Sequence, residues 1–145
     1  MVIYLSDVFF QAHRGASMVH KLEQYERYSD MPLRLALGLI FVVAGFGKLT
    51  GLAGVEKMVG GLGLPIAGFF AVALAVTEFG GGLLLVSGYK VRYAAAALAV
   101  IMLVAIFAVK LPGAGFKAAW VDIALLGGAV SLMLSGARSI SVDKR

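Results

Sequence analysis

Four long apolar runs dominate the chain, and charged residues fall mostly between them. The runs cover about residues 33–49, 65–87, 92–109 and 118–136. Ala and Leu fill them, and none alternates apolar with polar as a half-buried strand would, so each predicts a helix. A bilayer core needs about 20 apolar residues from an upright helix. The shorter runs reach that length with interfacial residues or local thinning of the bilayer. The fold class read from this pattern is an all-α membrane protein, an antiparallel bundle of four transmembrane helices.

The segment before the first run behaves differently. Leu5, Val8, Ala12, Val19 and Leu22 repeat at helical spacing, while Arg14, Lys21, Glu23 and Arg27 avoid that stripe. This predicts an N-terminal amphipathic helix over residues 1–30, lying on the membrane or against a partner. A flexible tail is the alternative. No stretch here has the charge and apolar layout of a signal peptide. Ser29 or Asp30 suits an N-cap for the first span, and Pro32 suits its first turn. The organisation is then a helix over 1–30, a transmembrane domain over 31–138 and a short cytoplasmic tail over 139–145.

The links carry their own signals. Residues 50–65 hold Gly51, Gly54, Gly60, Gly61 and Gly63 around the patch Val55-Glu-Lys-Met-Val59, which predicts a re-entrant or interfacial turn. Gly88-Tyr-Lys90 is tight and forces an antiparallel pair. Leu111-Pro-Gly-Ala-Gly-Phe116 reads as a second loop on the same side as residues 50–65.

Composition narrows the class further. Of 145 residues, 61% are hydrophobic and only 14% charged, against roughly 25% charged in soluble domains. A soluble domain this small has no room to bury so much apolar surface. A bilayer accepts it once every backbone group is bonded within a helix. Cysteine is absent, which removes disulfides and thiol chemistry from this chain.

The net charge of +5 reads as topology, with no nucleic-acid partner implied. Arg14, Lys21, Arg27, Arg34, Lys90, Arg92, Arg138, Lys144 and Arg145 fall on one side of a four-span arrangement. Lys48, Lys57, Lys110 and Lys117 fall on the other. The positive-inside rule then places both termini in the cytoplasm of a multi-pass cell-membrane protein. Tyr25, Tyr28, Tyr89 and Tyr93 sit near the inner interface and Trp120 near the outer one, as an aromatic belt.

Two ionisable residues stand inside the runs. Lys48 ends the stretch that starts at Leu35, and Glu78 interrupts the uncharged region from Met58 to Tyr89. A charge at bilayer depth costs roughly 3 kcal/mol on insertion scales, so it faces a partner or a cavity. In the first span Arg34, Gly38, Phe41, Gly45 and Lys48 share one face; in the second Ala71, Ala75, Glu78 and Gly82 share one. The small residues Gly38, Gly45, Ala71, Ala75 and Gly82 suit close helix packing, and the simplest arrangement sets these faces together. Depth counted along the helices leaves the Lys48 and Glu78 Cα atoms roughly 10 Å apart in level. Asp122, near the start of the fourth span, therefore competes with Glu78 for Lys48, and Arg34 is a second candidate partner for Glu78. A Lys48–Glu78 contact, direct or through water, is the favoured reading. Such a pair either fixes helix register or forms a polar site for a proton or for the head group of a quinone or lipid.

No catalytic residue is assigned: no nucleophile–base–acid set, nucleotide fingerprint or metal motif appears. His13 and His20 share a face but lack a third ligand, and they lie outside the spans, so intramembrane bis-histidine haem ligation within this chain is excluded. Gly80-Gly-Gly82 follows no strand and precedes no Lys-Ser/Thr, so it is a packing site and not a phosphate loop.

At these residues the chain resembles the DoxX family of small four-helix membrane proteins. The matching pieces are Arg34-Leu-Ala-Leu-Gly-Leu-Ile-Phe41, Ala44-Gly-Phe-Gly-Lys-Leu49, Gly63-Leu-Pro65, Glu78-Phe-Gly-Gly-Gly-Leu-Leu-Leu85 with Gly88, and the ending Ser139-Ile-Ser-Val-Asp143. Residues 1–30 fall outside the resemblance. It implies a role beside respiratory or sulfur redox chemistry, since members are named as subunits of a thiosulfate:quinone oxidoreductase or a terminal quinol oxidase, and others join redox-stress complexes. It also implies Arg34, Lys48 and Glu78 as the polar core. The expectation is an accessory membrane subunit of a quinone-linked redox complex, anchoring it or lining a quinone or lipid site. Other, redox-active membrane subunits would be its partners, and this chain alone would bind no cofactor. A non-catalytic scaffold, and a small transporter or lipid-binding protein, are the alternatives.

Overall fold

The computed structural model describes residues 30–137. The N-terminal helix expected over 1–30, with His13 and His20, and the tail over 139–145 lie outside them. Among the described residues every regular element is helical, and four helices are long and apolar enough to cross a membrane.

The first span, α1, is Asp30–Thr50, with Pro32 inside the first turn, where its missing N–H costs nothing. At the far end the Thr50 hydroxyl donates to the Gly47 carbonyl at 3.0 Å. The chain turns at Gly51 into the short helix α2, Leu52–Gly60. Where the sequence predicts a re-entrant or interfacial turn over residues 50–65, residues 52–60 form a helix and the turn follows it. Val55 and Val59 are one helical turn apart, and both bury against Ala71, with Ala67 and Leu74 beside it.

The second span, α3, is Ala67–Ser87. It ends where Gly88 takes φ 74°, a left-handed conformation that glycine adopts without strain. The Tyr89 N–H then donates to the Leu84 carbonyl at 3.1 Å, which closes the helix and reverses the chain.

The third span, α4, runs over Val91–Ala114 and is longer than the apolar run alone suggests. Residues expected as a loop continue the helix: Leu111–Ala114 are helical, and Gly115 at φ 75° makes the turn. The reason lies upstream. The segment Ala105–Lys110 is wound as a π-helix, a wide turn set just before Pro112. Proline has no N–H to donate and crowds the preceding turn, and widening that turn is one way a helix passes through it. The fourth span, α5, is Phe116–Ser135.

The spans pack in ring order: α1 on α3, α3 on α4, α4 on α5, and α5 back on α1. The shared core gathers toward the α3–α4 turn, where Leu37, Phe41, Leu85, Leu98 and Leu132 are buried. Large apolar side chains left outside, such as Val43, Phe46, Phe69, Val100, Phe107 and Leu134, cover all four spans, as expected of helices whose solvent is lipid.

Glycines set how closely these helices approach. A Cβ on Gly45 would lie 2.4 Å from the Phe79 nitrogen, and one on Gly82 would lie 2.7 Å from the Val42 nitrogen. A Cβ on Gly38 would meet the Gly82 carbonyl at 2.9 Å. The α1–α3 seam is therefore backbone against backbone, the form of packing available where lipid removes the hydrophobic drive between helices. Gly81, next along α3, faces the other way: Leu98 of α4 would sit 3.0 Å from its Cβ. Ala71 and Ala75 are fully buried on α3, and Ala71 packs under α2 instead of on α1.

Gly45→Ala should lower stability by about 1–3 kcal/mol, because backbone atoms must move to admit the methyl group. Gly47→Ala, on the same helix with nothing within 4 Å of its Cβ, should be neutral or stabilising. Denaturant titration of the detergent-solubilised protein compares the two, and equal losses would show that the seam does not set the stability.

Candidate functional site: an intramembrane ion pair at a cavity

Gly45 brings α1 onto the α3 backbone at Phe79, and this register fixes the site. Lys48 lies three residues beyond Gly45, about 4.5 Å along the axis, and Glu78 is the neighbour of Phe79. The level difference obtained by counting from the span ends therefore overestimates the gap. The Lys48 ammonium donates to both carboxylate oxygens of Glu78. Beside them, Phe46 and Phe79 pack with ring centroids 6.4 Å apart.

The two partners differ in access. The Glu78 side chain is 1% exposed and that of Lys48 is 29% exposed. The carboxylate is enclosed behind the amine, and the amine borders open space. A buried carboxylate without a cation is costly enough to take up a proton instead. Lys48 supplies the cation, while its own charge stays available to whatever enters the cavity.

The other polar residues find separate places. Asp122 of α5 pairs with Lys110 of α4 at 3.7 Å and not with Lys48. The distance is that of an ion pair without a hydrogen bond. Arg34 is buried near the start of α1 and pairs with Asp30 at 3.5 Å. It lies eleven residues from Gly45, roughly 16 Å along the helix, too far to serve Glu78. Thr77 turns its hydroxyl back to the Ala73 carbonyl at 2.7 Å.

Lys48, Lys110, Asp122 and Thr77 share one cavity of about 650 Å³. Most of its wall is apolar. Phe70, Ala73 and Leu74 come from α3; Val100, Ile101, Met102 and Val104 come from α4. Met58, Val59, Leu62 and Leu64 cover it from α2 and the segment after it. The space exists because α3 and α4 meet closely at Gly81 and Leu98 but are lined by small side chains such as Ala73 and Ala105 beyond that contact. A chamber with apolar walls and a few convergent polar groups is the usual form of a small-molecule site. Among the described residues no three His, Cys, Asp or Glu side chains come together as a metal site.

The covering helix, Thr77 and Lys110 escape sequence reasoning. Val55 and Val59 at helical spacing are the only signal for α2, and glycines obscure it. Lys110 precedes Pro112 and reads as a loop residue.

Fold and site together define a multi-pass helical membrane protein with a charged pair inside the bundle. The chain belongs to the DoxX family, whose model matches residues 29–111. It is 34% identical over 111 residues to a Bacillus subtilis (strain 168) protein named "Putative oxidoreductase CatD", covering 77% of this chain and 81% of that protein. It is 27% identical over 126 residues to "Inner membrane protein YqjF" of Escherichia coli (strain K12), covering 85% and 95%. No solved structure matches.

Lys48→Met should cost about 3 kcal/mol, since it leaves Glu78 buried without its cation. Adding Glu78→Gln should restore more than half of that loss. A double-mutant cycle on unfolding in detergent measures the coupling, and purely additive losses would show that the pair does not act as a unit.

Proposed function

We propose that this DoxX protein is an accessory membrane subunit of a quinone-linked redox assembly, and that its cavity holds the quinone head group. One observation carries the reading: an apolar chamber of about 650 Å³ with the Lys48 ammonium at its wall, backed by Glu78. A quinone ring is apolar on its faces and bears carbonyl oxygens that accept hydrogen bonds. Lys48 donates to one such oxygen, a charge-assisted bond roughly twice as strong as a neutral one. Glu78 holds the amine in place. The Lys110–Asp122 pair offers a second polar contact at the same chamber, and α2 keeps water out.

The name of the Bacillus relative supports a redox connection. The centres that carry electrons belong to partner chains in this reading, and the present chain binds and orients the quinone. With both termini in the cytoplasm, as the distribution of Lys and Arg favours, the chamber lies toward the outer leaflet.

The test uses the chain's single Trp, Trp120, which lies two residues from Asp122 on α5. Quinone titrated into vesicles containing the protein should quench Trp120 in two parts, one linear from collisions in the lipid and one saturable from binding. Lys48→Met should weaken the saturable part about tenfold, the equivalent of about 1.4 kcal/mol. Purely linear quenching in the wild-type protein would overturn the reading and leave a scaffold or a transporter of another molecule.

A further inference from the structure

The cavity has a lipid-facing side that the head-group site alone does not use. Two of its charged lining residues, Lys48 and Asp122, come from α1 and α5, across the bundle from the α3–α4 seam. Phe70 of α3 and Val100 and Val104 of α4 also line it, and they are 41%, 60% and 51% exposed. Those exposed side chains belong to the lipid-facing surface of the bundle. The chamber therefore borders both its charged groups and, between two adjacent spans, the acyl region of the bilayer.

The seam between α3 and α4 explains this opening. It is closed near the turn, where Leu98 packs on Gly81. Ala73, away from that contact, and Ala97, beside Leu98, line the chamber, and their small side chains leave the cleft unfilled. No charged residue lines the cleft itself; the charges of the chamber are Lys48, Lys110 and Asp122. Water and ionic solutes have no favourable path there, whereas an apolar chain crosses from lipid to lipid-like wall without desolvation cost.

We propose that the α3–α4 cleft is a lateral portal for a single-tailed amphiphile dissolved in the membrane: its head group sits at Lys48 and its isoprenoid tail stays in the cleft and the bilayer. The inference rests on the quinone reading above and adds to it the route of entry and the requirement for a tail. Because the tail occupies the cleft in the bound state, obstructing the cleft changes equilibrium affinity and not only the rate of entry.

The experiment measures binding to the full chain in phosphatidylcholine vesicles by the saturable quenching of Trp120. Two probes share one ring: menaquinone, with its isoprenoid tail, and menadione, without it. Ala97→Phe and, separately, the milder Ala97→Leu fill the cleft away from both ion pairs and leave Trp120 the single tryptophan. The wild-type protein should bind both probes. Ala97→Phe should weaken menaquinone about tenfold or more by displacing the tail from its apolar wall, with Ala97→Leu intermediate, while menadione changes less than about twofold. Unchanged menaquinone binding, or equal losses for both probes in both variants, would overturn the portal while leaving the head-group site standing. Absence of saturable binding for either probe in the wild-type protein would overturn both.

A photoreactive group on the far end of the tail gives an answer that does not depend on how the variants fold. In the wild-type protein it should label Phe70, Val100 or Val104. Labelling confined to Leu62 and Leu64 beside α2 would place the entrance at the covering helix and overturn the proposal.

Discussion

Glu78 is a carboxylate enclosed in the middle of a membrane bundle, and the arrangement around it follows from the need to keep that group satisfied. In lipid no water reaches it, and an isolated charge there is far costlier than a charge in a pair. Lys48 answers that need from the neighbouring helix. The lysine must arrive at the right level, which requires α1 to lie close on α3 in one register. Gly38, Gly45 and Gly82 permit that approach, because at each a Cβ would strike the opposite backbone or the side chain packed on it. Small residues and the charged pair are therefore one device: the glycines set the register, and the register delivers the amine to the acid.

The close α1–α3 seam also shapes the space beside it. The glycines of α3 split their faces, Gly82 toward α1 and Gly81 toward α4, so α3 is held on both sides near the turn. Beyond that contact the α3–α4 seam is lined by alanines and covered by α2. The result is a chamber with an apolar wall and a few charged groups. The wide π-turn before Pro112 places Lys110 at the same chamber, where it meets Asp122. π-turns recur at functional sites, and here the turn sits beside the ion pair.

The four spans were legible because their apolar runs exceed anything a soluble fold of this size can bury. The prominence of Lys48 and Glu78 was legible for the same reason, since each stands alone in an uncharged stretch. Their register was not. Counting residues from assumed span ends gives a level difference of roughly 10 Å, whereas the backbone contact of Gly45 with Phe79 sets the true one. That contact depends on shape across two helices, which no local pattern encodes. The same limit hides α2: Val55 and Val59 form a helical pair, but the glycines around them read as a loop. Pro112-Gly113 likewise reads as a break, and only the π-turn upstream explains why the helix continues to Ala114. Asp122 stood as a rival partner for Lys48 because both lie at one end of the bundle, and the pairing with Lys110 follows from the short turn at Gly115, which brings α4 and α5 together there.

In the proposed reading a membrane-resident amphiphile occupies the chamber and is held there by Lys48 and Glu78. Native mass spectrometry of the protein, ejected directly from the membranes in which it is made, tests this without a choice of probe. The wild-type protein should carry a bound species with the mass of the resident quinone, and Lys48→Met should be depleted of it. Wild-type protein that emerges bare, or carrying only phospholipid retained equally by Lys48→Met, would contradict it.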